Sequence, residues 1–277
     1  MGRSTARMIA TFSRAVTALE SPMRRAMTYA RVVGRFETDV AQAVETPRGT
    51  LKVLALRGPH LAAAALGFAD EEPETLAWME GFVPGATLWD IGAATGLLSM
   101  YAALDPSITV LAFEPSATSH GVLVEHLALN GLGDRVSPFC LAFAETTSIA
   151  RISHSSLAPG SGGNSVGGAP NQFGHTGSVF EQATPVFSID DFRRLFALPA
   201  PDHIKLDVDG LEGAILRGAP QTLPAVKSVL VEVEGLNAEH AAERIEAPLA
   251  AAGLVEDLSA RGKGSGRNRI YRRVPAG

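Results

Sequence analysis

The chain has 277 residues, of which 46% are hydrophobic and 19% charged, and its net charge is −5. A chain of this length buries a large core, and it contains no apolar run of the ~20 residues that a membrane-spanning helix needs. The negative charge argues against a nucleic-acid partner, and the single cysteine, Cys140, excludes both an internal disulfide and a zinc site built from cysteines. We therefore expect a soluble, cytoplasmic α/β protein with an appendage.

Residues 1–35 differ in composition from the rest of the chain. They contain seven arginines and a single acid, Glu20. Apolar residues recur at helical spacing on both sides of Pro22, which predicts two short amphipathic helices separated by the proline. Such a segment is either a peripheral anchor on anionic lipid or a helical appendage that packs on the core or on a second copy of the chain. We favour the appendage, so a membrane-peripheral position and a homodimer are both expectations to test.

Residues 36–86 form a lead-in to the main domain, for which we predict a strand near 50–56 and a helix. The helix is predicted to begin around Glu72 and Pro73, because proline and acidic residues are favoured in the first turn. Glu72 is therefore either a helix-start acid or a ligand-binding group.

From residue 87 onward, apolar strands alternate with helical patterns. Repeated strand–helix units predict a parallel sheet with right-handed crossovers. The strands are predicted near 87–91, 108–113, 135–140, 203–207 and 227–233. Two further strands, near 254–258 and 268–272, flank a glycine-rich turn and predict an antiparallel hairpin. Residues 87–277 are thus expected to form an α/β domain with a mostly parallel seven-stranded sheet, helices on both faces and an antiparallel C-terminal hairpin.

A glycine-bracketed turn follows the first of these strands. Asp90 ends the strand, and Gly92 and Gly96 flank the turn into the next helix. Glycine permits a sharp turn and a close approach of a ligand, and the helix N-terminus favours anionic groups. Glu114 ends the second strand, where a carboxylate can accept the hydroxyls of a ribose. The pattern predicts a nucleotide-like ligand; the structural alternative is an ordinary βαβ turn.

A second group of acids follows the strand predicted at 203–207. Asp207 comes at its end and is expected to face the crevice near the glycine turn. Asp209 either caps the following helix or reaches the substrate, and capping is the default interpretation. Glu232 and Glu234 end the next strand, and one of them is expected to meet the pocket.

A long glycine-rich stretch, residues 153–182, interrupts the alternation. It contains seven glycines together with His154, Asn164, Ser165 and His175. A loop of this length in a compact domain is either functional or disordered. We favour a substrate-binding loop above the carboxyl edge of the sheet.

Three sequence features together resemble the FkbM-type family of methyltransferases, which are class I, Rossmann-like enzymes that depend on S-adenosylmethionine (SAM). They are the run from Asp90 to Ala93 with Gly96, the strand end Ala112-Phe113-Glu114-Pro115, and the K-x-D-x-D-G-x-E signature from Lys205 to Glu212. The resemblance covers roughly residues 70–235. The chain departs from the family at Ala94, where asparagine is usual, and at Asp209, where glutamate is usual.

The resemblance implies SAM as cofactor and O-methylation of a hydroxyl on a sugar, polyketide or related metabolite. The acceptor would be a small molecule or a glycan. The residues implied or inferred to bind the cofactor are Glu72, Asp90, Gly92, Ala93, Thr95, Gly96, Glu114, Pro115, Leu141 and Ala142.

Methyl transfer from a sulfonium to an oxygen requires mainly positioning and proton removal. We predict Asp207 as the base or acceptor-orienting group, with His154 and His175 as rival bases because imidazole titrates near neutral pH. The predicted substrate-binding residues are Asn164, Ser165, Asp209 and Glu232. We predict no metal site. Two alternatives remain: a nicotinamide-dependent oxidoreductase, and a catalytically silent module that binds a partner or a membrane.

Overall fold

The structure, a computed structural model, describes residues 11–12, 14–18, 20–39, 41–168, 174, 178–234 and 238–274, with only the backbone for 36–39. The strands are β1 (Gln42–Thr46), β2 (Gly49–Val53), β3 (Thr87–Ile91), β4 (Thr109–Phe113), β5 (Val136–Phe139), β6 (Ala142–Phe143), β7 (Ser148–His154), β8 (Ser165–Val166), β9 (Phe180–Phe187), β10 (His203–Leu206), β11 (Ser228–Glu232), β12 (Leu254–Glu256) and β13 (Asn268–Arg273). The α-helices are α1 (Pro22–Asp39), α2 (Pro59–Glu71), α3 (Pro73–Glu80), α4 (Leu97–Leu104), α5 (Ala117–Asn130), α6 (Ile189–Phe196), α7 (Glu212–Arg217) and α8 (Ala247–Ala251).

The central sheet has seven strands in the order β12-β13-β11-β10-β3-β4-β5. Only β13 among them is antiparallel, and it pairs in that sense with both β11 and β12. The other pairs are parallel, which brings the carboxyl ends of β3, β4, β10 and β11 to one edge. The mostly parallel sheet and the closing hairpin are therefore confirmed.

The core lies on both faces of this sheet. Alternate residues of a strand point to opposite faces, and adjacent residues of β3 accordingly enter different apolar clusters. Leu88 packs with side chains from α2, α3, α4 and α5. Trp89 packs with side chains from α6, α7 and α8. Every residue of β3 except Thr87 is buried, as expected for a central strand covered by helices on both sides.

A second sheet crosses the region that was predicted as a glycine-rich loop. Its four strands have the order β6-β9-β7-β8, and β7 pairs antiparallel with β9 from Ser148↔Val186 to His154↔Phe180. The prediction of an unpaired loop over 153–182 is therefore wrong at both ends and at β8. These strands were missed because β7 meets its partner only after an intervening stretch of about two dozen residues, a separation at which pairing leaves no local signal.

The lead-in contains more structure than was predicted. Helix α1 continues past residue 35 to Asp39, and β1 and β2 form a separate antiparallel hairpin. The strand expected near 50–56 ends at Val53 and gives way to a 3-10 turn, Ala55–Arg57. None of the described helices combines the length and the apolar character that crossing a bilayer requires.

Candidate active site

The turn after β3 is held tightly against its neighbours. The backbone N–H groups of Gly92 and Ala93 both donate to the carbonyl of Phe113, at 2.9 and 3.0 Å. Gly92 has φ +86°, and a Cβ there would lie 1.8 Å from the carbonyl oxygen of Asp207. Glycine is therefore required at position 92 because β10 passes so close. At Gly96 the near neighbour is Leu123 of α5, at 3.0 Å from such a Cβ.

Two clefts lie beside this turn, at the carboxyl edge of the sheet. The first has a volume of about 170 Å³ and opens to solvent. The predicted residues that line it are Gly92, Glu114, Pro115, Leu141, Ala142, Asn164, Asp207 and Asp209. The predicted residues that line the second cleft are Glu72, Asp90, Gly92, Ala93, Thr95 and Asp207. Gly92, Ala94, Gly160 and Asp207 line both, so the two clefts adjoin along the turn and Asp207.

Glu114 lies in the first cleft at the end of β4. Its Oε2 accepts a hydrogen bond from the Ala94 N–H at 2.9 Å, and its Oε1 accepts one from the Ser116 N–H at 2.7 Å. Burial raises the pKa of Glu114 to about 8, although both hydrogen bonds lower it. A carboxylate has about four lone-pair sites, so each oxygen can still accept a hydroxyl proton. The group is thus oriented and suited to a ribose.

A buried ion-pair network lies between the clefts. Lys205 Nζ is 2.8 Å from Asp207 Oδ2 and 3.9 Å from Asp90 Oδ1. Burial alone would lower the pKa of Lys205, but the two carboxylates outweigh it and hold that pKa above its usual value. Ser99 Oγ donates to Asp90 Oδ2 at 2.6 Å, whereas Asp90 Oδ1 is buried with no hydrogen-bond partner in the described structure. Burial raises the pKa of Asp90.

Asp207 is also hydrogen-bonded to the side chain of Glu232 at the end of β11. Burial tends to raise the pKa of Asp207, but Lys205 outweighs it and keeps that pKa below its ordinary value. Burial, followed by the charge of Asp207, raises the pKa of Glu232 to about 8. The opposite directions of these two shifts indicate that the shared proton resides on Glu232, with Asp207 as its acceptor. Arg267 Nη1 lies 3.4 Å from Glu232 Oε1 and closes the outer side of the pair.

Asp209 connects the loop after β10 to the inserted sheet. Its Oδ2 accepts from the Gly163 N–H at 2.8 Å, and the backbone of Asn164 supplies a second hydrogen bond. The N-cap of α7 is Leu211, with no side-chain capping bond, so the interpretation of Asp209 as a helix cap is wrong. The Gly160 N–H donates to Ser119 Oγ at 3.1 Å. We call residues 155–168, which these contacts attach above the first cleft, the roof segment.

Several predicted residues lie elsewhere. Of the described residues predicted for the site, Gly96, His154, Ser165 and Glu232 do not line either cleft. His154 is buried, and neither of its ring nitrogens has a hydrogen-bond partner in the described structure. Ser165 is buried in the short strand β8, opposite Ser153. His175 lies outside the described residues.

Three residues that support the site were not predicted as site residues. Lys205 links Asp90 to Asp207, and Glu212 Oε1 accepts from the Val208 N–H at 3.0 Å, which fixes the loop that carries Asp209. Both belong to the K-x-D-x-D-G-x-E signature, which was the available signal. His126 accepts from the Leu54 N–H at 2.9 Å and contacts the Thr95 carbonyl at 2.8 Å. No sequence pattern marks His126, because both partners are backbone groups from distant segments.

These observations fit SAM. Glu114 offers oriented oxygens for the sugar, and Leu141 and Ala142 supply apolar surface beside it for a base. The second cleft is lined by the carboxyl groups of Asp90 and Glu72 and also by Lys205, which lies 3.9 Å from Asp90 Oδ1. The two adjoining clefts provide space for an elongated nucleoside along the turn at 92–95.

Comparison with solved structures finds distant similarities in fold. The chain is similar in fold to a precorrin-6y C5,15-methyltransferase from Geobacter metallireducens (16% identity, covering 67% of this chain and 72% of that chain, TM-score 0.40). It is also similar to a putative rRNA-methylase from Clostridium thermocellum (10% identity, 75% and 98%, TM-score 0.46) and to a SAM-dependent methyltransferase from Agrobacterium tumefaciens (11% identity, 85% and 70%, TM-score 0.45). None of the curated proteins matches the sequence.

The family model of the methyltransferase FkbM domain matches residues 90–253, which is more than half of the chain and includes the carboxyl ends of β3, β4, β10 and β11. This match excludes the nicotinamide-dependent alternative. The chain belongs to the FkbM family of methyltransferases, and its cofactor is S-adenosyl-L-methionine.

Proposed function

We propose that this methyltransferase acts on oxygen, transferring the methyl group of SAM to a hydroxyl of a small-molecule or glycan acceptor. The observation that carries the proposal is the position of Asp207, an ionised carboxylate that lines both clefts where they meet. When bound, SAM supplies an electrophilic methyl group on a cationic sulfur.

Asp207 is suited to orient a hydroxyl and to accept its proton. Its Oδ2 is engaged by Lys205 at 2.8 Å, which fixes the side chain and keeps it ionised. A hydroxyl that donates to this carboxylate presents an oxygen lone pair outward, toward the methyl group. Orientation of this kind supplies much of the rate in displacement reactions. Because alcohols are weak acids, the carboxylate accepts the proton as the new bond forms.

Glu232 adjusts the strength of this base. While protonated it donates to Asp207 and withdraws negative charge from it, as the raised pKa of Glu232, about 8, indicates. The pair acts as one unit that holds a single proton at neutral pH. Uptake of the acceptor proton by Asp207 can then be balanced by loss of the Glu232 proton to solvent, and Arg267, 3.4 Å from Glu232 Oε1, would stabilise the carboxylate that remains.

The roof segment supports the choice of a small or slender acceptor. Asn164 and Asp209 line the first cleft together with Glu114 and Asp207, and Gly160 lines both clefts. An acceptor bound beside Asp207 would meet these polar groups, which suit the hydroxyls of a sugar. We retain Asn164 and Asp209 as predicted acceptor contacts.

The test uses methyl-tritiated SAM with a panel of acceptors. The panel contains monosaccharides and hydroxylated aromatics, together with matched compounds in which the hydroxyl is replaced by hydrogen, amine or thiol. We expect label in the hydroxyl compounds only. Label in the amine or thiol analogues alone would refute transfer to oxygen.

The role of Asp207 is tested by Asp207→Asn, with Asp134→Asn on the exposed surface as the matched control. We expect turnover by Asp207→Asn to fall by about 10²-fold or more, while S-adenosylhomocysteine binds within a few-fold of its original affinity. Unchanged turnover would refute the role. Cofactor binding without transfer to any acceptor would favour the catalytically silent alternative.

A further inference from the structure

The described residues between 11 and 39 form a helical hairpin that is closed by its own hydrogen bonds. The stretches 11–12 and 14–16 are helical, and α1 runs back from Pro22. Thr17 Oγ1 donates to Tyr29 Oη at 2.9 Å. The Arg25 guanidinium donates to the carbonyls of Thr17 at 3.1 Å and Ala18 at 3.0 Å. The side of α1 that carries Arg25 and Tyr29 is therefore occupied within the hairpin.

A different side of α1 presents apolar side chains to solvent. Met23, Met27 and Val33 are 76%, 47% and 56% exposed. At 3.6 residues per turn they span about 120° of the helix surface, which we call the apolar stripe; Val33 borders the side of Tyr29, and Val32, 53% exposed, lies outside the stripe. The preceding helical stretch adds Phe12 and Val16, which are 71% and 63% exposed. Large apolar side chains grouped in this way on a surface mark an interaction site.

Arginines follow one edge of this stripe. Arg24, Arg31 and Arg35 are exposed and lie within about 40° of one another around the helix axis. The net charge of the chain is distributed unevenly between this N-terminal segment and the remainder. Residues 1–35 carry seven arginines and one glutamate, a net +6, so residues 36–277 carry −11 of the total of −5.

We propose that this hairpin docks the protein on the surface of a bilayer that contains anionic phospholipids. The apolar stripe would enter the boundary between headgroups and acyl chains, and the arginines at its edge would contact the lipid phosphates, as in interfacial amphipathic helices. The charge division supports a lipid surface, because the acidic remainder of the chain is repelled from the same membrane and leaves the hairpin as the contact face. No described helix spans a bilayer, so the contact is peripheral.

The experiment measures co-sedimentation of the full chain with vesicles of phosphatidylcholine, with or without about one third phosphatidylserine. We expect binding to the anionic vesicles and little to the neutral ones. The triple variant Arg24→Gln, Arg31→Gln, Arg35→Gln should bind at least tenfold more weakly, since each arginine near an anionic surface contributes about fivefold. The triple variant Met23→Ser, Met27→Ser, Val33→Ser should also lose at least tenfold.

Two controls separate docking from misfolding and from general charge effects. Neutralising three exposed arginines of the main domain, with Arg151→Gln, Arg194→Gln and Arg217→Gln, should leave vesicle binding unchanged. All variants should keep their affinity for S-adenosylhomocysteine. Equal binding to both kinds of vesicle, or unchanged binding by the hairpin variants, would overturn the proposal. So would a dimer in sedimentation equilibrium that the arginine variant abolishes, combined with no vesicle binding, because a second copy would then cover the face.

Discussion

Ala94 has a backbone conformation that its side chain does not favour. Its φ is +49°, in the left-handed region that costs an L-residue roughly 1–2 kcal/mol relative to a right-handed one. The conformation aims the Ala94 N–H at Glu114, at 2.9 Å. Strain at one exposed residue thus accompanies the orientation of the carboxylate that we assign to the ribose.

Asparagine, the residue that the family usually has at this position, tolerates left-handed backbone better than alanine. We expect Ala94→Asn to raise the free energy of unfolding by about 0.5–1 kcal/mol, measured by urea denaturation. The matched change Ala250→Asn, at an exposed position in helix α8, should instead lower stability because asparagine is a poorer helix former. A lower free energy of unfolding for Ala94→Asn would contradict the inference that the backbone of Ala94 is strained.

The raised pKa of Glu114 predicts a pH dependence of ligand binding. In the free protein this pKa is about 8, and the ionised form accepts both ribose hydroxyls. The ionised fraction rises from about one tenth at pH 7 to about nine tenths at pH 9, so S-adenosylhomocysteine should bind up to about tenfold more tightly at the higher pH. Isothermal titration calorimetry measures this change.

Glu232 has a similarly raised pKa but does not line the clefts. The affinity of Glu232→Gln for S-adenosylhomocysteine should therefore still rise between pH 7 and pH 9. Glu114→Gln should bind this ligand more weakly, and its affinity should not change between these pH values. If instead Glu232→Gln abolished the pH dependence and Glu114→Gln kept it, the titrating group would be Glu232.

At the scale of secondary structure, the carboxylate of Asp209 connects the four-stranded inserted sheet to the central sheet. Asp209 accepts hydrogen bonds from the backbone of Gly163 and Asn164, and this attachment holds the roof segment against the loop that follows β10. Asp209 itself has φ +58°, and Glu212 fixes its loop from below. Asp209, at the carboxyl edge of the central sheet, and Ser119 together hold the roof segment over the first cleft.

We expect Asp209→Asn to loosen the roof segment without unfolding the domain. A hydrogen bond to a charged group contributes about 1.5–3 kcal/mol, so amide exchange at residues 160–166 should accelerate about tenfold or more in hydrogen-exchange mass spectrometry. Glu181→Gln, on the exposed side of β9, is the control and should leave this exchange unchanged. Unchanged exchange in Asp209→Asn would show that other contacts hold the roof.

Strands and helices that are marked by a pattern of neighbouring residues could be predicted from the sequence. Each strand of the parallel sheet is an apolar run bounded by turn residues, and the acids Asp90, Glu114 and Asp207 could be assigned to one edge from topology alone. The network between them could not be predicted, because Lys205 faces Asp90 only through the register of β10 on β3. The inserted sheet was missed for the same reason, since β7 and β8 are recognisable only from their partners.

At the scale of the whole molecule, a buried histidine predicts sensitivity to acid. His203 stacks on Phe82 with ring centroids 3.8 Å apart, and its Nδ1 is 2.7 Å from Ser228 Oγ. Burial lowers its pKa to about 4. The unfolded chain, with an ordinary histidine pKa near 6.5, binds the proton first as pH falls. Stability is therefore lost between about pH 6.5 and pH 4, by at most about 1.4 kcal/mol per pH unit from this group.

Comparison with His203→Gln isolates that contribution, because all other titrating groups are shared. We expect the stability curves of the two proteins, from urea denaturation, to be parallel above pH 7. Below about pH 6.5 the original protein should lose stability more steeply. Curves that stay parallel down to pH 4 would contradict the depressed pKa.

The position of the Trp89 ring near the first cleft predicts a change in tryptophan fluorescence on ligand binding. The chain has two tryptophans, and Trp89 packs at 5.2 Å from Phe113 and 6.0 Å from Phe143, two rings that line the first cleft. Trp78 lies in the other apolar cluster. Binding of an adenosine-containing ligand should change the emission of Trp89, and Trp89→Phe should abolish the change while leaving calorimetric affinity similar. If the emission changes in this way, Trp89 is a built-in fluorescent reporter of cofactor occupancy.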